Sequence, residues 1–113
     1  MRYWTVEEAQ AYLPRLRELV EAVRRAVALT GVARSNGHGR TPGHDPRRAL
    51  SELEAGDIVV RDPVTGLVDF HARGRDGVVY YLCYRLDEEE LGWWHLPEEG
   101  FSGRKPLPRD GGS

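Results

Sequence analysis

The first quarter of the chain is patterned for a helix. Apolar residues recur at positions 6, 9, 12, 13, 16, 19, 20, 23 and 27, the spacing of one stripe on an α-helix. Thr5-Val6-Glu7-Glu8 matches a capping box, in which the Thr5 hydroxyl accepts from a backbone N–H and Glu8 reaches back. Arg15, Arg17, Glu18, Glu21, Arg24 and Arg25 fill the polar side, acids leading and bases trailing as the helix dipole prefers. Gly31 is a C′ stop. Pro14 removes one backbone donor and disfavours α geometry at Leu13. A kink is expected there, or a short first turn followed by a second helix.

Residues 31–45, GVARSNGHGRTPGHD, have no period and are expected to form a long mobile loop. Asp45-Pro46 reads as the N-cap and first residue of a further helix, with Ala49, Leu50 and Leu53 as its apolar face and Gly56 as its end. The helices are expected to pack antiparallel as a hairpin over residues 5–56.

After Gly56 the period falls to that of strands. DIVVRD is a short β-rich run, DPVTG a turn, and LVDFHAR and VVYYLCYRL flank the hairpin connection GRDG. The expectation is a three-stranded antiparallel meander over 57–86, and an α+β fold with the helical hairpin packed on it. Residues 87–107 are expected to form a C-terminal aromatic flap, and 108–113 a disordered tail. An odd-length hairpin loop puts Val68, Phe70 and Ala72 on the same face as Tyr80, Leu82 and Tyr84, the register that buries most carbon. The other face then carries Asp69, His71, Tyr81, Cys83 and Arg85.

Composition narrows the function classes. A chain of 113 residues is one domain's worth, and 40% hydrophobic with 30% charged residues is ordinary for a globular protein. A net charge of −2 gives no basic footprint, which disfavours nucleic acid as a partner. The single Cys83 excludes an internal disulfide framework and suits a reducing cytoplasm. The longest apolar run, Val78–Tyr84, is far short of the roughly 20 residues that span a bilayer, and there is no charged-then-apolar leader. The expectation is a cytoplasmic protein without a membrane partner.

Several segments together resemble a small bacterial family catalogued as a domain of unknown function, DUF2203. They are the opening T-x-E-E-A with its following Leu-Pro, then VRD, GLVDF, LCYR, and finally WH with GFSGRKP. The resemblance runs from about Tyr3 to Leu107, interrupted at the loop. It implies a helical hairpin plus strands, makes GLVDF and the WH…GF.GR.P segment the signatures, and brings no activity with it. The family's second helix is usually longer, whereas residues 31–45 here read as loop. The family also tends to have Pro where this chain has His71, which sets His71 outside any shared role.

Candidate chemistry gathers on the polar face and the flap. Asp69 and His71 share one side of a strand and could hold a metal with His95 or Glu98, although no H-x3-H, HExxH or Cys pair supports it. His38 and His44, beside Asp45, read as a solvated loop. Cys83 would need a neighbouring base to act as a nucleophile, so an inert buried thiol is the expectation. Asp69 and Arg85 are expected to face each other across adjacent strands, an ion pair that orients an anion if it is covered. Trp93 and Trp94 must point to opposite sides if extended, and Phe101 reads as an anchor that folds the flap back. Arg104 and Lys105 would then stand over the Trp rings. That segment reads as an edge-covering flap, as a protein interface, or as an anion-binding loop of Gly103-Arg104-Lys105 with His95.

The expected function is a small binding or scaffold protein acting through protein–protein contacts or self-association as a homodimer, with no cofactor. Asp69, Arg85, Trp93, Trp94, His95, Phe101 and Arg104 are the residues expected to carry it. The alternative is binding of a small anionic molecule, or a metal-assisted hydrolase-like enzyme, using Asp69, His95 and Arg104. Convergence of those three side chains around a cleft is the observation that favours the alternative.

Overall fold

The computed structural model describes residues 1–30 and 45–107, the side chains of Thr30 and Phe101 excepted. The expectations for the loop with His38 and His44, for Gly31, for the Phe101 anchor and for the tail 108–113 lie outside the described residues.

Helix α1, Val6–Thr30, starts on the capping box: Glu8 N–H donates to Thr5 Oγ1 at 3.0 Å and Thr5 N–H to Glu8 Oε1 at 3.1 Å. It continues as one helix through Pro14, which corrects the expected division into a first turn and a second helix. Pro14 lies on the solvent side while Leu13 and Leu16 beside it are buried. Burying the stripe outweighs the roughly 3 kcal/mol that an internal proline costs. Helix α2, Pro46–Ala55, is capped by Asp45, whose Oδ1 accepts from Arg47 N–H at 2.9 Å. Ala49 and Leu53 are buried, but Leu50 is 41% exposed and is no part of the core. It sits about 100° around the helix from Ala49, beyond the buried stripe. Contacts run in opposite order along the two helices, from Trp4 Nε1–H on Gly56 O (2.9 Å) to Arg15 on Glu52 (2.7 Å), so the hairpin is antiparallel.

The sheet contains five antiparallel strands in chain order: β1 Ile58–Asp62, β2 Leu67–Arg73, β3 Val79–Arg85, β4 Trp93–His95 and β5 Lys105–Pro106. The fold is α+β. The meander is its first three strands, and the C-terminal flap continues the same sheet by two more. Residues 74–78 make the odd-length connection, and Val68, Phe70 and Ala72 stand opposite Tyr84, Leu82 and Tyr80. This face packs on the helices. Leu13, Leu16, Leu19, Val20, Leu53, Phe70 and Leu82 form the core, closed at one end by Trp4, edge-on to Phe70 at 5.1 Å. Alternation along β2 and β3 therefore sends the remaining side chains away from the helices.

Candidate functional site

On the side away from the helices, two rows of residues run across the strands. Asp69, Cys83 and Trp93 form one, on β2, β3 and β4; His71, Tyr81 and His95 form the next. Turns after β4 fold back over these rows. Glu99 N–H donates to Leu96 O, Leu96 N–H to Glu99 Oε1, and Gly103 N–H to Gly100 O, which brings Pro97 and Gly100 against the cluster. Asp69, Cys83 and His95 are only 1%, 1% and 3% exposed as a result.

The buried groups interlock. His95 Nε2 lies 3.1 Å from each carboxylate oxygen of Asp69, reaching across the small Cys83 on the intervening strand. The other ring nitrogen, Nδ1, is 2.9 Å from Leu96 O, which can only accept. Nδ1 therefore carries a hydrogen. Arg61 Nε–H donates to Asp69 Oδ2 at 2.8 Å with its guanidinium carbon 5.0 Å from the Tyr81 ring centre. Asp69 in turn raises the Arg61 guanidinium further above its ordinary range. Arg61 falls at a β-bulge, where β1 shifts register between Val60 and Asp62. Burial and the adjacent Asp69 charge push the Cys83 thiol up from 9.0 to about 12, opposed by Arg104 nearby. Next to the cluster opens a cavity of about 230 Å³ lined also by Arg61, Leu67, Pro97 and Gly100.

Three sequence expectations are corrected here. Arg85 stands opposite Leu67 and pairs with Asp87 at 2.7 Å; the guanidinium on Asp69 belongs to Arg61 instead. His71 is no ligand partner of His95: the ligand atoms that converge are those of Asp69, Cys83 and His95, and the His71 ring is engaged elsewhere. The His71 ring packs edge-on to Tyr81 at 5.0 Å, and its Nδ1 meets Asp57 O at 2.7 Å. Glu98 is exposed, outside the cluster. The anion-binding loop also fails, since each of its cations already has a carboxylate: Arg104 pairs with Glu88 at 2.8 Å and Lys105 with Glu99 at 2.6 Å. Lys105 and the Leu96 N–H hold the Glu99 carboxyl below its ordinary range.

Other expectations hold as geometry. Trp93 and Trp94 face opposite sides, Trp93 under the Arg104 guanidinium at 4.8 Å and Trp94 under the Lys105 ammonium at 4.8 Å. Trp94 packs against the core and lies edge-on to Tyr80 at 5.7 Å. Asp69 and His95 meet, and Arg104 adjoins the thiol at their side. Sequence reasoning missed Arg61 as the partner of Asp69, and it did not count Cys83 among the possible metal ligands beside Asp69 and His95. The period-two alternation was the available signal, since it already placed Asp69 and Cys83 on one face.

The arrangement excludes one chemistry. A Cys–His–Asp nucleophile needs the imidazole between thiol and carboxylate, one ring nitrogen for each. Here Nε2 faces Asp69 and Nδ1 faces Leu96 O, so neither nitrogen is placed to take the Cys83 proton. The deeply buried, hard-to-ionise thiol argues the same way.

Comparison with known proteins gives one family. Residues 28–107 match the family model described as "Uncharacterized conserved protein (DUF2203)", well over half of the 113 residues, and the chain belongs to that family. No curated protein and no solved structure matches it. Among the described residues, no helix is long and apolar enough to cross a membrane.

Proposed function

We propose that this member of the DUF2203 family is a small-ligand-binding protein, and that its binding site is the cavity beside Asp69, Cys83 and His95. One observation carries the reading. A carboxylate and an imidazole are buried together on the sheet face away from α1 and α2, and a cavity of about 230 Å³ opens beside them. Burying such groups costs several kcal/mol per ion and gives a stability return that apolar side chains match or exceed. A site is the economical account of keeping them there. A cytoplasmic setting belongs to this reading, because the lone thiol has to stay reduced.

Native mass spectrometry of the full chain, compared with its unfolded mass, tests the proposal. The expected result is an adduct released on unfolding and missing from Asp69→Asn. Equal native and unfolded masses would count against it.

A second reading has its own observation. A wider groove of about 620 Å³ lies at the hairpin tip, lined by Val78, Tyr80, Trp94, Leu96 and Leu107, with Val78 half exposed. Exposed apolar surface of this kind supports a protein contact, self-association included. Val78→Asp is then expected to lower the mass measured by light scattering; an unchanged mass argues against self-association.

A further inference from the structure

The histidine at the centre of the proposed pocket poses a problem of hydrogen bookkeeping. Leu96 O requires the N–H on Nδ1, which in a neutral ring leaves a lone pair on Nε2. That lone pair points at two carboxylate oxygens 3.1 Å away, and all three atoms carry negative charge density. Something positive belongs between them. Cys83 Sγ completes the surroundings: one ligand atom each from Asp69, Cys83 and His95 lies within 4.8 Å of the other two.

We infer that Asp69, Cys83 and His95 are the three protein ligands of a divalent ion of the zinc class, with a fourth position open to the cavity. The inference rests on the pocket proposed above and names what it holds. Nitrogen, sulfur and oxygen donors together suit a borderline-soft ion and not magnesium or calcium, which take oxygen alone. Zinc bonds of about 2.0–2.3 Å in tetrahedral geometry place ligand atoms roughly 3.3–3.8 Å apart, so the observed cluster needs only a small adjustment. The surrounding contacts are those of a metal site as well. Nδ1–H on a backbone carbonyl fixes the ring so that Nε2 is the ligand, and Arg61 on Asp69 Oδ2 leaves Oδ1 for the ion.

Binding is an exchange that balances: the ion forms a bond to Cys83 sulfur and the thiol proton leaves to solvent. The carboxylate offsets the Arg61 charge, and the thiolate offsets half of the ion's. One positive charge remains, so the open position favours hydroxide or an anionic oxygen donor from a small molecule. Three protein ligands plus an open position is the pattern of zinc sites that act on substrates.

The test uses the full chain, dialysed against a chelator and titrated with cobalt(II). The expected result is a thiolate-to-cobalt charge-transfer absorption that saturates at one equivalent and disappears when zinc is added. Cys83→Ser should abolish that absorption, Arg61→Leu should weaken cobalt binding about 10–100-fold, and His71→Gln should leave it unchanged. Circular dichroism of each variant checks that it folds. A folded wild-type chain without the absorption would overturn the inference, as would an absorption that survives Cys83→Ser. In that case an organic adduct in native mass spectra would leave the pocket standing and only the ion refuted. Absence of both would remove pocket and ion together, leaving the His95–Asp69 pair as a structural contact.

Discussion

His95 on β4 contacts Asp69 on β2 through Nε2, 3.1 Å from both carboxylate oxygens, across the whole width of the central strand. The contact ties the C-terminal segment to the meander at a point where neither group meets water. Both its structural and its chemical roles can be measured.

The structural role predicts a large cost for removing one partner. Asp69→Ala leaves Arg61 and His95 without their carboxylate and is expected to destabilise the chain by about 3–5 kcal/mol. Urea unfolding checks this, and a loss below about 1 kcal/mol would mean the contact contributes no more than an exposed ion pair.

The thiol predicts a pH dependence of the chelator-treated chain. Folding pushes Cys83 up from 9.0 to about 12, through burial first and the Asp69 charge second. Between those values the folded chain keeps a proton that the unfolded chain has released, so stability falls as pH rises; below 9.0 the contribution is fully present. Tyr12, pushed up from 10.0 to about 12 by burial and by Glu52, acts in the same direction from 10.0 upward. Urea midpoints between about pH 8 and 11 should therefore fall less steeply in Cys83→Ala than in the wild type. Equal slopes would place the thiol in a wetter environment than the fold provides.

The turn between β1 and β2 predicts intolerance of a single methyl group. Gly66 has φ 75°, and a Cβ there would lie 2.5 Å from Leu86 Cγ. Gly66→Ala is expected to cost more than about 1 kcal/mol, since both backbone conformation and space are unsuitable. Unchanged thermal stability would show that the β2–β3 end can relax.

The aromatic end of the core predicts a further loss. Phe70 is fully buried, with Trp4 packed edge-on to it at 5.1 Å. Phe70→Ala should cost about 3–5 kcal/mol in urea unfolding, because the sheet and the Trp4 anchor cannot both collapse into the space. A cost near that of a surface substitution would contradict the packing.

Where signals are local, the sequence carries them well. The Thr5–Glu8 capping box, the Asp45 cap and the alternation of Val68, Phe70 and Ala72 each follow from neighbours a few residues apart. Pro14 and Leu50 read less well, because each is decided by where the buried stripe of its helix runs. The site is legible only in part. Asp69, His95 and Arg104 stand out by residue type, yet the contacts of Asp69 with Arg61 and His95, and of Arg104 with Glu88, depend on how β1 and the segment from β4 onward are placed on the sheet. No short-range pattern fixes β4 beside β3, since the turn-rich residues 86–92 separate them. Arg85, instead of Arg61, is matched with Asp69 in the sequence because the bulge in β1 between Val60 and Asp62, where Arg61 falls, has no local signal.

The most direct test of the account is a crystal structure of the full chain grown with zinc, with anomalous scattering measured on either side of the zinc absorption edge. A three-ligand zinc site predicts one edge-dependent peak bonded to His95 Nε2, Cys83 Sγ and an Asp69 carboxylate oxygen, with density for a fourth ligand on the cavity side. A map with no such peak there, and with His95 still bonded directly to Asp69, would contradict it.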